Sequence, residues 1–279
     1  MVSQMIDIIV NGKREQVPSG MNVRKLRDWV KPDANIMLIN GYPCSLDEIL
    51  KQGDQILFIR KGEVPDPHEF DLLFASRHSR KVQEQMKKAT IGIAGLGGLG
   101  SAVCIALARM GIGHLIVADY DFVEPSNLHR QQYSINHIGM AKVDAVVEII
   151  SGINPYMKIS AHRVRLTVNN ISDIFGDADI VIECLDQPEE KAMLIETVIE
   201  YLPDVTVIGA SGIAGYGRSN HIVTRRLTNR LFVIGDLASE VKVGQPLMAG
   251  RVGIAAHHQA NLVVCLLMKD PNDVVADVD

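Results

Sequence analysis

Ile91-Gly92-Ile93-Ala94-Gly95-Leu96-Gly97-Gly98-Leu99-Gly100 is the stretch that decides the fold. A short apolar run ends in a glycine cluster, and a helical pattern from Ser101 to Met110 follows at once. Strand, glycine turn and helix in that order predict a nucleotide site of the Rossmann type. Gly95, Gly97, Gly98 and Gly100 let backbone approach a phosphate, and the helix start beyond them favours negative charge. Dehydrogenases share such loops, so the residues downstream carry the distinction. Asp119 ends the next strand, where an acid hydrogen-bonds ribose hydroxyls. Asp121, Asn127, Arg130, Gln131 and Lys142 follow, and Asp186 stands on a later strand end. A hydride-transfer site has no use for two cations and a second carboxylate. A site that cleaves a triphosphate does.

Outward from the loop, strand and helix signals alternate. Strands are predicted at 90–94, 114–118, 157–164, 179–184 and 205–210, and helices at 99–110, 139–151, 169–175 and 188–201. This alternation predicts a largely parallel sheet covered on both faces. Beyond Ser211-Gly212, strands are expected at 221–226 and 231–234. Residues 236–249 read as an ordered loop, and 250–268 as a closing helix. Glu69 to about Lys88 also carries a helical pattern.

The first ~60 residues read as a separate module. Ile6 to Val10 and Lys13 to Val17 are strands joined at Asn11-Gly12, a turn in which both central residues need φ > 0. Val23, Leu26, Trp29 and Val30 recur at helical spacing. Ile36 to Ile39 is a third strand, ended by Asn40-Gly41. Ser45 with Glu48 predicts a capping box on a short helical turn. Gln55 to Arg60 is the last strand. The order is that of a β-grasp domain. Glu63-Val64-Pro65-Asp66-Pro67 is a proline-stiffened connection. The expected division is 1–62, a linker at 63–70, and 71–279.

Composition bounds the function. The chain has 279 residues and a formal net charge of −5, which argues against a nucleic-acid binder. No apolar run reaches the ~18–20 residues of a membrane span, and the N-terminus lacks a secretory pattern, so a cytoplasmic location is expected. Cys44, Cys104, Cys184 and Cys265 form no C-x-x-C pair, so no zinc is expected. Cys104 and Cys265 fall in apolar helical patterns and read as core.

Asp119-Tyr-Asp121-Phe-Val-Glu-Pro-Ser-Asn127-Leu-His-Arg130-Gln131 is the specific part of the sequence. It resembles the ThiF/MoeB/HesA family of ubiquitin-activating-like adenylyltransferases, in which Asp-x-Asp-x-Val runs into Ser-Asn-Leu-x-Arg-Gln. Cys184-Leu185-Asp186-Gln187 matches that family's Cys-Thr-Asp-Asn strand end, with Gln for the final Asn. The likeness covers residues ~71–268. Residues 1–62 resemble ThiS, a small ubiquitin-like sulfur carrier. Carriers of that kind end in a free diglycine, whereas here Arg60-Lys61-Gly62-Glu63-Val64 continues into the chain.

The resemblance implies an enzyme that uses ATP and Mg²⁺ to adenylylate the C-terminal carboxylate of a ThiS-like carrier, in thiamine thiazole synthesis. It implies that Arg130 and Lys142 hold the outer phosphates, and that Asp186 holds the metal. Asn127 and Gln131 would orient phosphates or nearby backbone. Arg80 is a candidate for reaching the nucleotide of the other protomer of a homodimer, with a local salt bridge as its alternative. A sulfur-donor enzyme is a further implied partner. Cys184 is open to a thiol role or a buried one. His257 and His258 are open to lining the tail groove or to packing. Two other readings stay open: a regulatory pseudoenzyme whose β-grasp domain occupies the carrier dock, and an NAD(P)-dependent oxidoreductase.

Overall fold

The computed structural model describes residues 4–75, 79–243 and 246–270. The chain divides into two compact units, residues 1–83 and 84–279. Among the described residues, no helix is long and apolar enough to cross a membrane.

The first unit holds β1 (Met5–Val10), β2 (Lys13–Pro18), α1 (Val23–Val30), β3 (Ile36–Ile39), β4 (Tyr42–Pro43), β5 (Gln55–Ile59) and α2 (Pro67–Ala75). Its strands lie in the order β2-β1-β5-β3-β4. Asn11 and Gly12 turn β1 into β2 with φ of 47° and 80°, the left-handed pair such a hairpin requires. The Asn11 side chain then reaches β5: its Oδ1 accepts from Phe58 N at 2.9 Å and its Nδ2 donates to Phe58 O at 3.1 Å. Asn22 caps α1 by accepting from Lys25 N. Ile8, Val10, Val17, Val23, Leu26, Ile56 and Phe58 close the core between helix and sheet.

Val23, Leu26, Trp29 and Val30 all fall in α1, which buries Val23 and Leu26 and leaves Trp29 at 61% exposure. Three expectations for the N-terminal part need correction. Ser45 and Glu48 form a single turn, with Glu48 N donating to Ser45 O at 3.3 Å, and no helix follows. The short strand β4 pairs with β3 where none was expected. The pattern at 69–88 is two helices, α2 and α3 (Arg80–Lys88), and α2 begins at Pro67, a residue type favoured in a first helical turn.

The second unit continues with β6 (Thr90–Ala94), α4 (Gly98–Met110), β7 (His114–Ala118), α5 (Lys142–Ser151), β8 (Lys158–His162), α6 (Val168–Phe175), β9 (Ile180–Glu183), α7 (Pro188–Tyr201), β10 (Thr206–Ala210), β11 (Val223–Arg226), β12 (Leu231–Gly235) and α8 (Ala249–Leu267). The sheet order is β11-β12-β10-β9-β6-β7-β8. Every pairing is parallel except β11 with β12. From β6 the chain winds outward through β7 and β8, then returns to β6's other side at β9. The winding therefore reverses between β6 and β9, and a crevice opens there at the carboxyl ends of the strands.

The apolar runs of this sheet are buried on both faces, as parallel packing demands. Ile91, Ile93, Val181, Ile182, Val207 and Ile208 are all fully buried. Strand β8 ends at His162, earlier than the apolar pattern suggested, so residues 163–167 become a loop at the crevice.

Candidate active site

A cavity of about 230 Å³ sits at the reversal point, and Gly95, Gly97, Asp119, Asp121, Lys142 and Asp186 line it. Two glycines give this place its shape. Gly95 has φ +89°, and a Cβ there would lie 2.7 Å from the carbonyl oxygen of Cys184. Gly100 lies within α4, and a Cβ there would run into the Gly95 carbonyl. A side chain at either position would force β6, β9 and α4 apart. Gly100 thus serves close helix–loop packing and does not line the cavity.

Asp119 is expected to meet ribose hydroxyls, yet the structure shows it bracing the loop. Its Oδ2 accepts from Leu96 N at 2.6 Å and its Oδ1 from Asp121 N at 2.8 Å. Burial pushes its carboxyl above the ordinary carboxylate range, against the pull of Lys142 and of those two N–H groups. Tyr133 completes the brace by donating to Leu96 O at 2.7 Å. The loop is therefore held open before any ligand arrives.

Lys142 opens α5 and is 5% exposed. Its Nζ lies 2.8 Å from Asp121 Oδ2 and 3.9 Å from Asp119 Oδ2. Asp186 follows β9 and is exposed. Its carboxylate has no hydrogen-bond or ion-pair partner among the described residues. A Cβ placed on Gly97 would lie 4.0 Å from Asp186 Oδ1 and 3.9 Å from Gln131 Nε2, so both side chains flank the loop.

Asn127, Arg130 and Gln131 stand beside the loop rather than in the cavity wall. Asn127 Oδ1 accepts from Glu124 N at 3.1 Å, which closes a short turn at Pro125–Asn127. The Arg130 side chain packs 3.7 Å from where a Cβ on Gly98 would be. Among the described residues its guanidinium meets Ser126 O at 3.5 Å and His129 Nε2 at 3.4 Å. Gln131 is buried, and its Oε1 has no partner among the described residues. The Arg80 side chain, with Arg77 and His78, lies outside the described residues.

The sequence reading missed the opposite wall. Tyr120, Arg165, Leu166, Glu190 and Met193 line it. Arg165 joins Glu190 at 2.8 Å and lies over the Tyr120 ring at 5.7 Å. Arg165 and Leu166 come from the loop after β8 and Glu190 and Met193 from α7, where no motif marks them, while Tyr120 fills the open position between Asp119 and Asp121. Cys184 is buried, and burial pushes its thiol well above the ordinary range, which disfavours the thiolate. Cys104 is buried and Cys265 only half-buried. His257 Nδ1 sits 2.7 Å from Gly253 O one turn back in α8, and His258 Nδ1 lies 3.5 Å from Thr224 Oγ1 of β11. Among the described residues, no group of three or more His, Cys, Asp or Glu is placed to hold a metal. Asp119, Asp121 and Asp186 are the aspartates lining the cavity, and a site for Mg²⁺ commonly uses one or two carboxylates plus phosphate oxygens.

A glycine loop, a braced acid and a buried lysine at the reversal point of a parallel sheet define a nucleotide-binding α/β protein. The ThiF family model matches residues 71–269, and the chain belongs to that family. Residues 6–62 match a ThiS-like ubiquitin model. The chain is 32% identical over 177 residues to adenylyltransferase and sulfurtransferase UBA4 of Eremothecium gossypii, covering 63% of this chain and 36% of that protein. It is 35% identical over 190 residues to UBA4 of Scheffersomyces stipitis, covering 68% and 39%. The chain thus spans just over a third of these relatives' length. The tRNA N6-threonylcarbamoyladenosine dehydratase TcdA of E. coli, solved in complex with ATP, shares the fold with a TM-score of 0.63 at 20% identity, over 70% of this chain and 92% of that one.

Proposed function

We propose that this chain is an ATP- and Mg²⁺-dependent adenylyltransferase that activates the C-terminal carboxylate of a ThiS-like carrier protein. The observation that carries this reading is one cavity holding the glycine loop, the buried Lys142 and the unpartnered carboxylate of Asp186. The UBA4 relatives, named as adenylyltransferases and sulfurtransferases, support it. Residues 1–62 are read as the carrier-like domain, 63–70 as its linker and 71–279 as the catalytic domain.

The chain's own residues divide the work. The N–H groups of the glycine loop and the start of α4 receive phosphate oxygens. Lys142 offers a compact charge, and Arg130 a planar fork that its weak partners leave ready to reach a phosphate. Asp186 would hold Mg²⁺, which supplies charge neutralisation on the phosphates when bound. A terminal carboxylate, with a pKa near ~3.5, is already ionised at neutral pH, so no general base is needed. A lone pair on one carboxylate oxygen forms the new bond to the α-phosphorus. The P–O bond to the β-phosphate breaks, and its electron pair leaves with pyrophosphate. Catalysis is positioning plus charge stabilisation.

The finer proposals are thiamine thiazole synthesis as the pathway, supported by the ThiS-like match alone, a homodimer to which Arg80 contributes, a sulfur-donor partner, no zinc, and a cytoplasmic location. The test is ATP–pyrophosphate exchange with Mg²⁺, with and without a separate ThiS carrier ending in Gly-Gly. Exchange that needs the added carrier is the expected result. ATP binding without exchange on any carrier would replace this reading with the regulatory one, which the missing diglycine after Gly62 motivates.

A further inference from the structure

A second cavity, of about 580 Å³, opens beside the nucleotide pocket, and Cys184, Leu185 and Asp186 belong to both. Its other walls are largely aliphatic, with Leu99, Ile195, Ile213, Val233 and Val252 among them. One cation stands among its described lining residues, Lys191 of α7.

Lys191 is held by Glu183, the last residue of β9, whose side chain is 1% exposed. Glu183 Oε1 accepts from Lys191 Nζ at 2.8 Å and from Leu185 N at 2.7 Å. Its Oε2 accepts from Ala210 N at 3.4 Å. One buried carboxylate therefore ties together the strand end that carries Asp186, the end of β10 and the first turns of α7. Burying an ion pair costs desolvation that its attraction does not reliably offset, so stability alone is a poor reason for it. The ammonium has three donors, and Glu183 takes one. Lys191 has no other side-chain partner among the described residues, and its side chain remains 26% exposed.

We infer that Lys191 is the recognition cation for the terminal carboxylate of the carrier tail, and that Glu183 is the positioning residue that aims it. This rests on the adenylyltransferase reading and names the contact that selects its acceptor. A glycine-ended tail is thin enough for the cavity, and its carboxylate must leave water to enter. A donor already fixed in place offsets that cost. Glu183 also keeps Lys191 from swinging to Asp186 or to the triphosphate. With one carboxylate oxygen held by Lys191, the other is free to meet the α-phosphorus in the adjoining pocket.

The test uses the full chain with a ThiS carrier ending in Gly-Gly and the same carrier as its C-terminal amide. In exchange assays, Lys191→Met raises the carrier KM by ~10-fold or more, the loss expected for one charge-assisted contact, and leaves the ATP KM unchanged. Lys191→Arg restores most of the loss. In direct binding, the wild type prefers the carboxylate over the amide, and Lys191→Met binds the two alike. The double variant Glu183→Gln, Lys191→Met leaves no unpaired buried charge, and it gives the same result if the single variant folds poorly. A Lys191→Met protein that still prefers the carboxylate, or whose ATP KM rises as much as its carrier KM, overturns the inference. A wild type without carrier-dependent exchange overturns the adenylyltransferase reading instead, while the carboxylate–amide comparison still decides the role of Lys191.

Discussion

The two sheets of this protein are built from similar residues and do different things. The five-stranded sheet of residues 5–59 mixes antiparallel hairpins with one parallel pair, β1 with β5. Its strand ends therefore fall at both edges, and the cavity against it measures about 10 Å³. In the seven-stranded sheet, six strands run the same way. Their carboxyl ends gather at one edge, and cavities of about 230 and 580 Å³ open there. Direction of pairing, more than composition, decides which sheet can build a site. The parallel sheet also needs crossover helices, and these present α4 and α5 beside the cavity.

The comparison predicts that the two units fail separately, and the largest effect tests it. Phe58 is fully buried in the first unit. Phe58→Ala should destabilise that unit by ~3–5 kcal/mol, the usual cost of deleting a core aromatic ring. ATP binding by the second unit should be unchanged in calorimetric titration. Loss of ATP binding in this variant would break the comparison.

The next effect is chemical. Asp186→Asn removes an exposed carboxylate that holds no other residue among the described ones. Carrier-dependent pyrophosphate exchange should fall by ~100-fold or more, about 2.7 kcal/mol of transition-state stabilisation, with the melting temperature unmoved. Arg130→Ala should act in the same direction. Retained exchange in either folded variant would remove that residue from the site.

The smallest effect sharpens the picture of the loop. Asp119→Ala leaves the buried Leu96 N–H without its acceptor, at a cost of about 2 kcal/mol. Both stability and ATP affinity should drop, because one carboxylate supports fold and site together. A variant that loses ATP affinity with full stability would show that Asp119 acts on the ligand alone.

Much of this was legible in the sequence. The glycine loop, the strand ends at Asp119 and Asp186, and the hairpin at Asn11-Gly12 each have a local cause: a turn or a close approach that few residue types permit. The opposite wall of the pocket was not legible. Arg165 and Glu190 meet Tyr120 only because the strand order brings the ends of β7 and β8 and the start of α7 together. Trp29 lies in the helix its spacing indicates but stays exposed, since helical spacing tells which residues share a face and not how wide a face is covered.

By itself the sequence determined the glycine loop between β6 and α4, the order of strands and helices in the second unit, and which charged residues lie near that loop. Those properties follow from backbone geometry over a few residues. Tertiary structure alone decided that Asp119 braces Leu96, that Arg130 stands beside the loop and Lys142 within the cavity, and that Glu183 aims Lys191 into a second cavity. These pairings join residues of different elements, and their energies come from burial and from low-dielectric electrostatics that exist only after the sheet has closed.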